Sequence, residues 1–180
     1  MVKKWSGSER GASLVELAFA LPLLIMLLVG MVSAGIAYNH QLSLTHAARE
    51  GGRYAATLPV TNFTDDENPM HAWLDEVASQ VEDDATGALG AGAQGHYICV
   101  AYVHPDGAEP TDKTASRVDD AGDVSYPTPP QPCFEDGRPD DEPRVQVVVG
   151  REVAFSVVFW STDLALDSEA VNRFEAGMGF

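Results

Sequence analysis

A lone carboxylate, Glu16, stands at the mouth of an apolar run, five residues after Gly11 in the string Arg10-Gly11-Ala12-Ser13-Leu14-Val15-Glu16. From Leu17 to Tyr38 there are 22 residues without a charged side chain. As a helix rising 1.5 Å per residue they reach roughly 33 Å, enough to cross a bilayer core of about 30 Å. A carboxylate drawn into hydrocarbon costs on the order of 3 kcal/mol unless it finds a partner. Glu16 therefore has two readings. It is either a helix-start acid stabilised by the macrodipole, or one half of an ion pair completed by a positive group on a neighbouring molecule. A glycine and a short basic leader ahead of it favour the second reading, in which the pair docks helix on helix and sets their axial register.

Other patterns that could do chemistry fail on context. Gly90, Gly92 and Gly95 match the dinucleotide spacing, but they follow a helical segment and precede a strand, the reverse of the order that presents phosphate to a helix N-terminus. The five histidines show no H-E-x-x-H spacing, no G-x-S-x-G occurs, and His40 and His46 read as polar surface residues near the membrane exit. Asp140, Asp141 and Glu142 lack the alternating ligands and glycine of a calcium loop. The expectation is a protein without a catalytic constellation, cofactor or metal. The two cysteines, Cys99 and Cys133, fall after the span, where a disulfide persists if that side is oxidising. Joining them closes a 35-residue loop, worth about 4 kcal/mol by loop entropy; two free thiols are the alternative.

Charge orients the chain. Lys3, Lys4 and Arg10 precede the span and the next basic residue is Arg49, so the N-terminus is expected inside and the remainder outside. Three basic and two acidic residues give residues 1–38 a net +1, so the total of −16 leaves −17 on residues 39–180. That balance lacks the Lys and Arg cluster a nucleic-acid partner requires.

The span is expected to continue past the membrane as one helix. Ala47, Gly51 and Ala55 recur every four residues and share a face on which a neighbouring helix can approach closely, as do Gly30 and Ala34 within the membrane. Pro59 ends this helix, and Pro22 is expected to kink it or loosen it locally within the membrane. Asn68 and Pro69 then form a capping signal before Met70, Trp73, Leu74, Val77 and Val81 at helical spacing, ending by Gly87. Strands are predicted at His96–Val103, Val145–Val149 and Val153–Trp160, with Gly150 as a turn or bulge between the last two. Alternation from Leu164 to Glu175 predicts a half-buried strand, with a short helix as the alternative. The Pro- and Asp-rich tract at about 104–143 reads as a long surface loop. The fold class expected is α+β: a leader (1–11), a membrane-spanning and continuing helix (12–58), and an extracytoplasmic domain (59–180) with a second helix and a small antiparallel sheet.

The strings ERGASLVELAFALPLL and GIAYNHQLSLTHAAREGGRYAA resemble the TadE-like pseudopilins, minor components of bacterial tight-adherence (Flp) pilus systems. The resemblance runs from Glu9 to Ala56. It implies a pilin-like architecture and cleavage by a prepilin peptidase after Gly11, with Ala12 as the new N-terminus and Glu16 as the fifth mature residue. The α-amino group of Ala12 on a neighbouring subunit would then be the partner of Glu16. Leu17 stands where major Flp pilins usually carry an aromatic residue, which points away from a main-fibre subunit. The implied partners are other pilin-like subunits, the inner-membrane assembly platform, the prepilin peptidase and the membrane itself. The competing reading is a secreted or anchored ligand-binding or enzymatic domain, whose apolar segment is a signal peptide cut in the small-residue stretch Ser33 to Ala37.

Overall fold

The computed structural model describes residues 8–63, 67–89, 94–103, 113–127, 138, 142–157 and 159–175. Its first element, α1 (Ser8–Thr57), is a single helix of 50 residues that passes through Pro22 without interruption. It ends where expected. The Thr57 hydroxyl donates to the carbonyls of Arg53 and Tyr54, and Pro59 lacks the N–H that another turn needs.

A short 3-10 turn (Val60–Phe63) leads to α2 (Pro69–Asp84), whose cap is the one the sequence signals. The Asn68 side chain accepts from the His71 amide at 3.3 Å, and Pro69 takes the first turn, where a missing N–H costs nothing. Met70, Trp73, Leu74, Val77 and Val81 are buried, with Ala78 beside them. A one-turn helix, α3 (Thr86–Leu89), follows.

Five antiparallel strands form one sheet in the order β3-β2-β1-β4-β5: β1 (Gln94–Val103), β2 (Lys113–Asp119), β3 (Val124–Ser125), β4 (Arg144–Val157) and β5 (Trp160–Arg173). Strand alternation divides the apolar side chains between two faces. Ile98, Val100 and Tyr102 of β1 and Val145, Val147 and Val149 of β4 join the main core with Leu44, Ala47, Ala48 and Ala55 of α1 and the buried face of α2. Cys99, Ala101, Ala115 and Val148 make a smaller cluster on the other face. Trp73, Tyr102 and Phe174 meet edge to face, with centroids 5.1–6.1 Å apart. The Trp73 indole donates to the Leu58 carbonyl at 2.9 Å, and the Glu175 amide donates to the Ala56 carbonyl at 3.0 Å, so both ends of the fold are tied to the end of α1.

Three expectations are corrected. The tract at 104–143 is not all loop, because β2 lies within it and pairs with β1 from Tyr97↔Asp119 to Val103↔Lys113. Its composition hid this: next to the sheet edge, β2 buries only Ala115 and Ser116 among its described side chains, so it needs no apolar run. Gly150 is neither a turn nor a bulge. β4 runs straight through it, and a Cβ there would lie 2.5 and 2.7 Å from two atoms of the Tyr97 ring and 2.9 Å from its hydroxyl oxygen, so the glycine makes room for that side chain. The register shift falls instead on β1 between Gln94 and Tyr97, where Gly95 has φ +59°. Finally, Val153–Trp160 is not one strand. The chain reverses within it, and Val157 of β4 pairs with Trp160 of β5.

Candidate functional site: a helix in two halves

Helix α1 divides into two chemically different halves. Toward its N-terminus nearly every large side chain is bare: Leu14, Phe19 and Leu28 are 68%, 79% and 61% exposed, and the pattern continues to Ile36. It is the one helix among the described residues long and apolar enough to cross a membrane, and none of its most apolar window is buried within the chain. Such a surface is unstable in water at any useful length, since each exposed leucine forgoes roughly 2 kcal/mol of burial. The half must be covered by lipid or by other helices. Glu16 lies in this bare half and is itself exposed. Gly11 and Ala12 lie within the first turns of α1.

The other half is core. Leu44, Ala48 and Ala55 are completely buried and Ala47 nearly so, packed against α2, β4 and β5. A helix does approach the stripe Ala47, Gly51 and Ala55 closely, but it is α2 of the same chain. A Cβ on Gly51 would collide with Val81 and lie 3.8 Å from Val147. These three residues are therefore withdrawn as candidates for packing against another subunit, because their face is already occupied. Gly52, not singled out from sequence, faces the sheet less tightly: a Cβ there would overlap the end of the Asn172 side chain and sit in ordinary contact 3.5 Å from Ala170. The adjacent charges turn outward, with Arg53 and Glu50 paired at 2.9 Å on the surface and Arg49 exposed. The motif Ala47 to Ala55 thus reads as small residues inward and charges outward. The neighbour it accommodates is internal.

The membrane pair remains open. Among the described residues, no neighbouring element comes within 4 Å of a Cβ built on Gly30, and Ala34 is exposed. His46 is exposed; His40 is half-buried, its Nδ1 3.5 Å from Arg151, whose guanidinium also donates to the Ala88 carbonyl.

Of the expected cysteine pair, Cys99 is buried in β1, and no cysteine among the described residues is free. Cys133 lies outside those residues, so the pairing stays an expectation. Gly90, Gly92, Asp140 and Asp141 lie outside them as well. Glu142 is exposed, 3.8 Å from Arg173.

The segment that carries this geometry is the one that matches a known family model. A family model described as TadE-like protein matches residues 11–53, from the predicted processing glycine through the bare half of α1 into its buried half. This agrees with the resemblance read from the residues. No curated protein and no solved structure matches the chain.

Proposed function

We propose that this chain is a minor pseudopilin-like structural protein that takes part in assembling a tight-adherence pilus. The TadE-like segment associates it with such pili, and the long apolar helix makes it membrane-anchored. The observation that carries the proposal is the asymmetry of α1, one rigid rod with a bare apolar half and a half welded into a small α+β domain. A rod of this kind can stand in a membrane and can also be transferred sideways into a bundle of similar helices without unfolding the domain. In this reading the N-terminus lies inside, the domain lies outside, cleavage follows Gly11, and Glu16 meets the new α-amino group of Ala12 on a neighbouring subunit.

The continuity of α1 supports this reading over a signal peptide. Cutting near Ala37 would sever the helix where it already touches the domain, since the Ser33 hydroxyl donates to the Ser156 carbonyl at 2.9 Å and Ala37 is buried.

Deletion of the gene is expected to abolish or shorten surface pili while the main pilin is still made; normal pili in the deletion strain would overturn the proposal. N-terminal sequencing of membrane-bound protein should find Ala12 first. A start near Ile36 or Tyr38 would favour the secreted domain.

A further inference from the structure

The β4–β5 hairpin is longer than its sheet requires. Beyond the end of β1's pairing near Glu152, both strands continue to Val157↔Trp160, paired among the described residues with each other alone. The hairpin lies along α1, and its extension is tied there through Ser156. Ser168 donates to Thr45 at 3.2 Å, Gln41 donates to the Asp167 carbonyl at 2.8 Å, and Ser33 donates to the Ser156 carbonyl at 2.9 Å. As the hairpin runs toward its tip, these bonds step toward the N-terminus of α1. The last of them, at Ser33, lies five residues inside the apolar run that ends at Tyr38, about 7.5 Å below its end along the helix axis.

The tip has the composition for that depth. From Val153 to Thr162 there is no charged residue, and Glu152 and Asp163 bracket the run. Phe159 and Trp160 are 79% and 60% exposed. Outside α1, the exposed large hydrophobic residues among those described are Val124, Tyr126, Phe159, Trp160 and Leu164, and three of these five belong to the end of this hairpin. Aromatic side chains on a strand end ordinarily seek burial. Tryptophan in particular concentrates where hydrocarbon meets headgroups.

We propose that the hairpin tip carrying Phe159 and Trp160 inserts into the bilayer leaflet on the side where the domain lies. This rests on reading Leu17–Tyr38 as the span, but not on which side of the membrane the domain occupies. The lipid surface is the occupant because the tip is hydrogen-bonded to a position inside the apolar run. A span at its ordinary depth carries the tip into hydrocarbon whether or not another protein is present. The domain is then held by two elements, a helix through the membrane and a hairpin in one leaflet. Together they restrain its tilt and its rotation about the helix axis. Leaving the membrane for a fibre requires the tip to be drawn out along with the span.

The test uses full-length protein reconstituted without detergent into phosphatidylcholine–phosphatidylglycerol vesicles, with or without brominated acyl chains. Emission of the wild type minus that of Trp160→Phe isolates Trp160, because Trp5 and Trp73 are common to both. That difference emission should be blue-shifted and should lose most of its intensity in brominated vesicles, while Phe159→Ser should weaken the quenching with Trp160 retained. Protein that resists carbonate extraction but whose Trp160 emission is unquenched by bromine and accessible to acrylamide would overturn the insertion and leave the span intact. The same result with acrylamide excluded would point to a protein partner and equally overturn it. Protein extracted by carbonate would overturn the span reading, and the insertion with it.

Discussion

Glu16 and Gly51 sit on one helix and answer to different surroundings. The carboxylate of Glu16 is exposed on the bare half and has the chain's outside as its only environment, so its role is tested by what happens between subunits. Glu16→Ala should insert into the membrane as well as the wild type or slightly better, since it removes an insertion cost of about 3 kcal/mol. Its incorporation into pili, measured by immunoblot of sheared fibres, should nonetheless fall sharply. Wild-type incorporation would reduce Glu16 to a helix-start acid. Gly51, by contrast, is tested within one chain. Gly51→Ala gains up to about 1 kcal/mol of helix propensity but drives a methyl into Val81, which is fully buried and cannot swing away. Overpacking of this kind costs about 1–3 kcal/mol, so denaturant unfolding should show a net loss. Adding Val81→Ala should recover part of that loss in a double-mutant cycle. Gly52→Ala should be nearly neutral, because its nearest neighbour is the mobile end of Asn172.

Tyr126 gives a pH dependence at the same scale. Its hydroxyl donates to Asp75 at 2.6 Å, the other Asp75 oxygen accepts from Ser116 at 3.0 Å, and His71 stacks on the ring at 3.7 Å. Burial first, and then the hydrogen bond and negative charge of Asp75, push the Tyr126 hydroxyl up to about 12. A raised value means that the neutral form is favoured in the folded state. The stabilisation is complete below about pH 10 and is lost as pH climbs through about 12. The stability difference between wild type and Tyr126→Phe, about 1 kcal/mol for a partly exposed bond to a charged group, should be constant to about pH 10, shrink above it and be lost as pH passes about 12. A difference as large at about pH 12 as at neutral pH would refute the assignment.

At the scale of elements, α1 does two jobs because its two halves present different faces to different solvents. The small residues that look like a subunit contact are used up by α2, and the hairpin β4–β5 takes over part of the helix flank below them. Strand β1, apolar on both faces as a central strand should be, carries Cys99 on the face away from the helices. The proposed disulfide would tie that strand to the tract between β3 and β4. Non-reducing mass analysis of exported protein should find Cys99 joined to Cys133, and reduction should lower stability by up to about 4 kcal/mol. Two alkylatable thiols would refute it.

For the whole molecule, the boundary between anchor and domain is not at the end of α1. Leu44, Ala47, Ala48 and Ala55 belong to the same core as Trp73 and Val147. A fragment beginning at residue 39 keeps that core and should unfold cooperatively in solution. One beginning at residue 59 removes the central helix from one face of the sheet and should be unfolded or aggregated. Cooperative unfolding of the shorter fragment would show that the sheet and α2 suffice. The net charge of −17 on residues 39–180 supports the solubility of the longer fragment by self-repulsion.

The sequence by itself determined what depends on local chemistry. The apolar run gives the span, Asn68 and Pro69 give the start of α2, Pro59 gives the end of α1, and period-two alternation gives the last strand, because each follows from the preferences of residues close together in the chain. It determined too that Gly11 and Glu16 precede that run, the spacing on which the family resemblance rests. What it left undecided depends on partners distant in sequence. Whether Gly51 faces another molecule or Val81, whether Gly150 breaks a strand or shelters Tyr97, and whether a polar stretch such as Lys113–Asp119 pairs at all are questions about who stands opposite. A small residue looks the same in sequence whichever neighbour it admits. Only the tertiary structure names the neighbour. The same holds for the hairpin tip, whose uncharged aromatic run reads as ordinary strand until the Ser33–Ser156 hydrogen bond fixes it beside the span.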